Sequence, residues 1–277
     1  MRLINKEALE AQKAQPQPPW LLLLALYLLL AKGAWLVWKG AVLLAPRVGC
    51  SFDPSTPKMR TAYLVSALVV EAVVSVGILW RYRGALFAGY RLGMRGIWRI
   101  FWVGVLVSLP LALYYTGGFF KGMNLWADVW GWYLKGQVTA NDYANFARNT
   151  YVAGWDGLGW GIDARGVLLA SVVSFTFPVC EEWLFSGFVA TKLARRLPVA
   201  AVIPVTGLMF LAVHVALILQ FGKSFNLALT FLGGCCSVYS RFLSGSWLAG
   251  LVTHLVLNFT VFLFKWAMAY VFFRMMG

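Results

Sequence analysis

The sequence alternates between long apolar runs and short basic clusters, and this pattern is its strongest constraint on the fold. A bilayer core of about 30 Å needs roughly 20 mostly apolar residues per helix. Charged residues make up only 12% of the 277, well below the roughly 25% of soluble domains. The sequence therefore predicts an all-α, polytopic transmembrane bundle of about seven or eight spans. The candidate spans are about 20–44, 61–80, 98–117, 166–190, 199–220, 226–243 and 247–273.

The formal net charge of +14 is distributed over short clusters between the apolar runs. Such clusters are typical of topology signals, whereas a nucleic-acid-binding protein concentrates its charge in one stripe or tail. The basic clusters within 81–99 and 192–196 are predicted to be cytoplasmic. The connection at 118–165 has no positive bias and is rich in Trp and Gly. We expect it on the opposite side, either as an interfacial aromatic belt or as a loop that controls substrate entry.

Few polar side chains fall inside the predicted spans, and ionisable residues in membranes are candidates for function. They are Glu71, Glu181, Glu182, His214, His254 and Asn258. Glu71 is interpreted as a partner of a basic residue such as Lys32 or Lys39, or as part of the substrate route.

Glu181 and His214 are predicted to lie at one level of the bundle. Glu181 comes 14 residues before Arg195, and His214 comes 15 residues after Val199. The short basic turn "RRLP" connects the two helices. With a rise of about 1.5 Å per residue, both side chains lie roughly 21 to 22 Å from this turn. They can therefore meet across an antiparallel helix pair.

His254 and Asn258 are four residues apart, so a helix presents both on one face. Together with Glu181 and His214 they form a plausible hydrolytic site, in which the carboxylate takes a proton from water and the His and Asn side chains hold an oxyanion. Three other interpretations stay open. Intramembrane His and Asn side chains also serve as contacts between helices, one Glu and two His can bind zinc, and buried acids can relay protons in a transporter.

The four cysteines form no CxxC motif and are interpreted as buried packing residues: Cys50, Cys180, Cys235 and Cys236. Cys180 precedes Glu181 and is a second candidate nucleophile. Adjacent helical residues point about 100° apart, so these two side chains need not share a pocket. No neighbouring group in the sequence is evidently suited to activate the thiol.

Three stretches in sequence order carry a more specific signal: "EEWLFSG" at 181–187, "FLAVH" at 210–214 and "SGSWLAGLVTHLVLN" at 244–258. They resemble the EExxxR, FxxxH and HxxxN motifs of the CAAX protease and bacteriocin-processing family, the CPBP or Abi proteins. These are intramembrane glutamic endopeptidases related to the Ras-converting enzyme. The resemblance covers about 166–262 and implies a helical membrane protease without a cofactor or an obligatory metal.

The resemblance also implies roles for individual residues. Glu181 matches the glutamate that activates water, and His214 matches the histidine that helps to bind this water. His254 and Asn258 match the pair that stabilises the oxyanion. The supporting positions are Glu182, the second acid of the motif; Phe210, the first residue of FxxxH; and Ser186.

Ser186 departs from the family pattern, because the motif has Arg at this position. Glu182 therefore lacks the expected ion-pair partner. We expect it to be protonated or paired with a basic group from another helix, for which Arg241 and Lys192 are the candidates. The residues assigned to the chemistry are all present, which favours an active enzyme over a non-catalytic immunity or scaffold protein of the same fold.

The sequence has no internal repeat, and we divide it into three segments by their expected roles. We expect a cytoplasmic N-terminal tail at 1–18, spans with a long non-cytoplasmic connection at 19–165, and a catalytic transmembrane core at 166–277. The expected location is the inner cell membrane, with several spans and a cytoplasmic N-terminus. The expected partners are the bilayer and a membrane-bound or lipidated protein or peptide substrate, and no nucleic acid.

Overall fold

The computed structural model describes residues 4–28, 43–44, 69–70, 72–89, 93–117, 176–221 and 227–260, and every regular element in these ranges is a helix. In chain order the helices are α1 (Lys6–Ala14), α2 (Trp20–Leu28), α3 (Ala72–Arg81), α4 (Arg83–Phe87), α5 (Met94–Gly117), α6 (176–193), α7 (Val199–Phe221), α8 (Leu227–Ser244) and α9 (Trp247–Asn258). The all-helical class expected from the sequence is confirmed for this part of the chain.

Among the described residues, two helices are long and apolar enough to cross a bilayer, Met94–Tyr114 within α5 and Leu227–Ser244. Three shorter apolar segments accompany them, at Ala72–Arg81, Val199–Val215 and Trp247–Asn258. These helices fit a membrane protein, and the total of seven or eight spans stays a prediction. The predictions for Glu71, Lys32, Lys39, Cys50 and the 118–165 connection lie outside the described residues.

The C-terminal helices pack around α6, which contacts α7, α8 and α9. Helix α8 also packs against α7, α9 and α5. The centre of α6 is fully buried and supplies half of the buried aromatic residues among those described, with Trp183, Phe185 and Phe188 each at most 2% exposed. Side chains on α6 are therefore held by neighbours on several sides.

A two-residue turn, Gly245-Ser246, folds α9 back along α8. Gly245 has a φ of 86° and its amide donates to the Arg241 carbonyl at 2.8 Å, a left-handed helix end that suits glycine. Ser246 then begins α9, since its Oγ accepts from the amide of Leu248 at 3.3 Å. The tight turn fixes where His254 lies relative to α8.

The polar N-terminal segment forms a docked helix. Asn5 caps α1 by accepting from the amide of Ala8 at 3.1 Å, and its side chain also donates to the Ser244 carbonyl at 3.1 Å. Gln12 donates to the Gly245 carbonyl at 2.8 Å. The segment expected as a cytoplasmic tail thus packs directly on the α8–α9 turn.

The basic cluster within 81–99 is partly helical in the described residues. It contains the short helix α4, and α5 begins at Met94, four residues before the expected start of the span. Arg95 and Arg99 therefore lie inside α5. The Arg99 guanidinium donates to the Leu243 carbonyl at 2.8 Å, which ties the start of α5 to the end of α8.

Candidate active site

The two adjacent glutamates lie where the geometry of α6 changes. Residues 176–182 are α-helical, Trp183–Val189 form a π-helical segment, and Ala190–Leu193 return to the α-helix. The amide of Ala190 donates to the Phe185 carbonyl five residues earlier, as a π-helix requires. Such segments are rare and frequently occur at functional sites. Here the segment begins directly after Glu182.

Glu181 lies between the two histidines. Its Oε1 is 3.9 Å from Nε2 of His214 on α7, and its Oε2 is 3.7 Å from Nε2 of His254 on α9. Both separations exceed a direct hydrogen bond. The three side chains are only 10–15% exposed. The contact between Glu181 and His214 that the helix rise predicts is therefore present, and His254 joins it.

The ring of His214 is oriented by its own helix. Its Nδ1 is 3.0 Å from the carbonyl oxygen of Phe210, one turn earlier. Because a carbonyl oxygen only accepts hydrogen bonds, Nδ1 must carry the proton in this contact. In the neutral ring, Nε2 is then the acceptor, and it faces Glu181.

Phe210 packs against both imidazoles. Its ring centroid is 4.4 Å from that of His214 and 5.4 Å from that of His254, the latter in an edge-to-face arrangement. Phe185 packs edge-to-face on the other side at 5.6 Å. The aromatic residue of the FxxxH motif therefore contacts both histidines.

Glu182 is 1% exposed and has two partners. Its Oε1 is 2.9 Å from Nδ1 of His254, and its Oε2 accepts a short hydrogen bond from the Ser186 hydroxyl. The expected pairing with a basic group of another helix is thus present, and the group is His254. The two candidates expected from the sequence, Arg241 and Lys192, were wrong.

Those two cations hold the N-terminal segment instead. The buried Arg241 guanidinium donates to Oε1 of Gln12 at 2.7 Å and also bonds the hydroxyl of Thr191. Lys192 donates to the carbonyl of Pro18. Both side chains therefore reach the segment before α2, Arg241 at Gln12 and Lys192 at Pro18, and not Glu182.

Asn258 is the last residue of α9, one turn after His254. His254 and Asn258, four residues apart, therefore lie on one helix, as the sequence predicts.

Gly250, one turn before His254, was not predicted to matter. A Cβ atom at this position would lie 2.7 Å from Oε2 of Glu182 and 2.9 Å from Oγ of Ser186. The only sequence signal for it is the small residue in "SWLAGLVTH".

The alternative nucleophile Cys180 has a different environment. Its sulfur is 3.0 Å from Oγ of Ser75, which also accepts from the indole of Trp183 at 3.0 Å. Across the described ranges, no three His, Cys, Asp or Glu side chains are arranged to hold a metal ion. The side chains that come together at the site are two carboxylates and two imidazoles.

The comparisons with known proteins give one match. Residues 163–260, about a third of the chain, match the family model described as "Type II CAAX prenyl endopeptidase Rce1-like". No curated protein and no solved structure matches the chain. The matched region includes Glu181, His214, His254 and Asn258. The helical region that carries this site is therefore similar to the Rce1-like family of type II CAAX prenyl endopeptidases.

Proposed function

We propose that the chain is an intramembrane endopeptidase that hydrolyses a peptide bond of a membrane-associated substrate with water activated by Glu181. One observation carries this proposal: both histidines of the chain lie within 4 Å of the Glu181 carboxylate, one on each oxygen. The family match supports the reaction class.

The hydrogen-bonding capacities of the groups support a specific arrangement of the water. A water molecule has two O–H donors, and Glu181 accepts one of them. His214 accepts the other at Nε2, because its Nδ1 proton is used by the Phe210 carbonyl. Both acceptors act on one water, which leaves an oxygen lone pair for attack on the substrate carbonyl.

The attack forms a bond from the water oxygen to the carbonyl carbon, and the water proton passes to Glu181. The carbonyl oxygen becomes an oxyanion, which donors on the opposite side stabilise. We assign this role to His254 and Asn258. The tetrahedral intermediate then breaks its C–N bond, and the proton on Glu181 moves to the leaving nitrogen.

His254 fits the oxyanion role because a carboxylate lies on each side of its ring. Opposite charges at such distances stabilise the imidazolium form. In that form Nδ1 donates to Glu182 while Nε2 keeps a proton for the oxyanion. A histidine with only one proton, held at Nδ1, has no donor left at Nε2.

The proposed substrate is a membrane-bound or lipidated protein or peptide, as the family name suggests. We also propose a location in the inner cell membrane with several spans and a cytoplasmic N-terminus, and a catalytic core at 166–277. The basic clusters of the sequence and the apolar helices support this arrangement.

The test uses the full chain purified in detergent and a panel of prenylated, acylated and unmodified peptides, with products identified by mass spectrometry. We expect the wild type to cleave a lipidated peptide with chelator present and the Glu181→Gln variant not to cleave it. Loss of cleavage with chelator, restored by added metal, would favour a metal-dependent protease. No cleavage of any lipidated peptide by folded wild type would favour the non-catalytic scaffold.

A further inference from the structure

Ser186 occupies the position at which the EExxxR motif has Arg, and it is part of a hydrogen-bonded series that ends at the proposed active site. The Ser186 hydroxyl donates to one oxygen of Glu182, and His254 contacts the other at 2.9 Å. His254 in turn directs Nε2 toward Glu181. A change at Ser186 can therefore reach the reacting groups through Glu182.

The close approach of α9 determines which side chain fits at position 186. Ser186 is 0% exposed, and Gly250 lies directly against it. A Cβ at 250 would be 2.9 Å from the Ser186 hydroxyl and 3.0 Å from the Ser237 carbonyl. A long, charged side chain at 186 has no space in this packing, whereas a hydroxyl fits and supplies one donor.

A hydroxyl also differs from a guanidinium in charge. Serine donates a hydrogen bond to Glu182 without neutralising it. Among the residues that the structure describes, His254 is then the one group in contact with Glu182 that can carry a positive charge. The full charge of Glu182 is available to hold His254 as an imidazolium.

We infer that Ser186 is a positioning residue for His254, acting through Glu182, and that the absence of a side chain at Gly250 makes this arrangement possible. The inference rests on the proposed function, because it assigns Ser186 a part in the orientation of the oxyanion donor. The hydroxyl fixes the rotamer of Glu182, and Glu182 fixes the ring of His254.

The first test is kinetic. Ser186→Ala removes the hydroxyl, and we expect kcat to fall about tenfold, equivalent to about 1.4 kcal/mol, with KM within twofold of wild type. The matched control is Ser108→Ala, because Ser108 is also 0% exposed but, among the residues that the structure describes, bonds only the Val105 carbonyl of its own helix. We expect this control to keep the wild-type kcat. Equal losses of kcat in both variants, or no loss in Ser186→Ala, would overturn the inference.

The second test is spectroscopic and needs no substrate. Selective ¹⁵N labelling of histidine gives only two imidazoles in this chain, and His214→Gln assigns them. In Ser186→Ala we expect the Nδ1 resonance of His254 to shift and that of His214 to stay in place. A His254 resonance that does not move would overturn the inference. If Ser186→Ala does not fold, Ser186→Cys is measured in the same way, because its weaker donor should shift the resonance in the same direction.

The two tests separate this inference from the proposed function. If Glu181→Gln still cleaves but the His254 resonance shifts in Ser186→Ala, the assignment of Glu181 is wrong and the Ser186–Glu182–His254 series stands. If Glu181→Gln is inactive and the His254 resonance does not shift, Glu181 keeps its role and Ser186 has no positioning function.

Discussion

Replacement of Gly250 by Ala should disturb the active site through a single methyl group. The new Cβ would lie 2.7 Å from Oε2 of Glu182. An ordinary contact is at least 3.4 Å, so the two groups have to separate by about 0.7 Å. Glu182 cannot move away easily, because His254 and Ser186 hold both of its oxygens. We expect α9 to shift away from α6.

Two opposing terms determine the effect on stability. Overpacking of a dense core costs about 1–3 kcal/mol, while Ala is favoured over Gly inside a helix by about 1 kcal/mol. We expect Gly250→Ala to lower the free energy of unfolding by roughly 0–2 kcal/mol. The activity should change more, because a misplacement of about 1 Å can cost about a hundredfold in rate. We expect kcat to fall roughly ten- to a hundredfold.

The assay combines thermal unfolding in detergent with cleavage of the best peptide from the substrate panel. Gly233→Ala is the matched control, since a Cβ at this buried position of α8 would meet its nearest neighbour, a methyl carbon of Leu257, at 3.5 Å. It should keep the wild-type activity and be stabilised by up to about 1 kcal/mol. Wild-type stability and activity in Gly250→Ala would refute the argument from close packing.

Two further predictions concern the N-terminal helix and the motif. Gln12→Ala leaves the buried Arg241 guanidinium without one acceptor, so the free energy of unfolding should fall by about 1–3 kcal/mol. The control Glu10→Ala, at an exposed position of the same helix, should change it by less than about 0.5 kcal/mol. Equal stabilities of the two variants would contradict the role of α1. Ser186→Arg restores the motif residue but collides with α9 at Gly250. In detergent, this variant should therefore unfold at a lower temperature than Ser186→Ala. A Ser186→Arg variant that is stable and more active would show that the site has room for Arg.

The sequence predicted the relations that depend on distance along a helix. The rise per residue gave the level of Glu181 and His214, and the 3.6-residue period gave the shared helix of His254 and Asn258. The first relation needs only the end of α6 and the start of α7, which lie on either side of the short turn at Pro198. The second needs only an unbroken helix over the two residues.

The sequence did not predict which side chains of different helices face one another. The π segment after Glu182 changes which side chains of α6 share a face, and the 3.6-residue period does not foresee such a change. The sequence could name Arg241 and Lys192 only as candidate partners of Glu182, and the structure places His254 there. Likewise, α1 is short and polar, and only the packed structure shows that Gln12 binds the buried Arg241.

The most direct measurement of the central claim is the kcat of Glu181→Gln relative to wild type, on a cleaved lipidated peptide with chelator present. Gln has nearly the same shape as Glu but cannot take a proton from water. Loss of a general base typically costs about 10²- to 10⁴-fold, and we expect kcat to fall in this range while His254 keeps its contact with Glu182. A Glu181→Gln variant that cleaves at the wild-type rate would contradict the account.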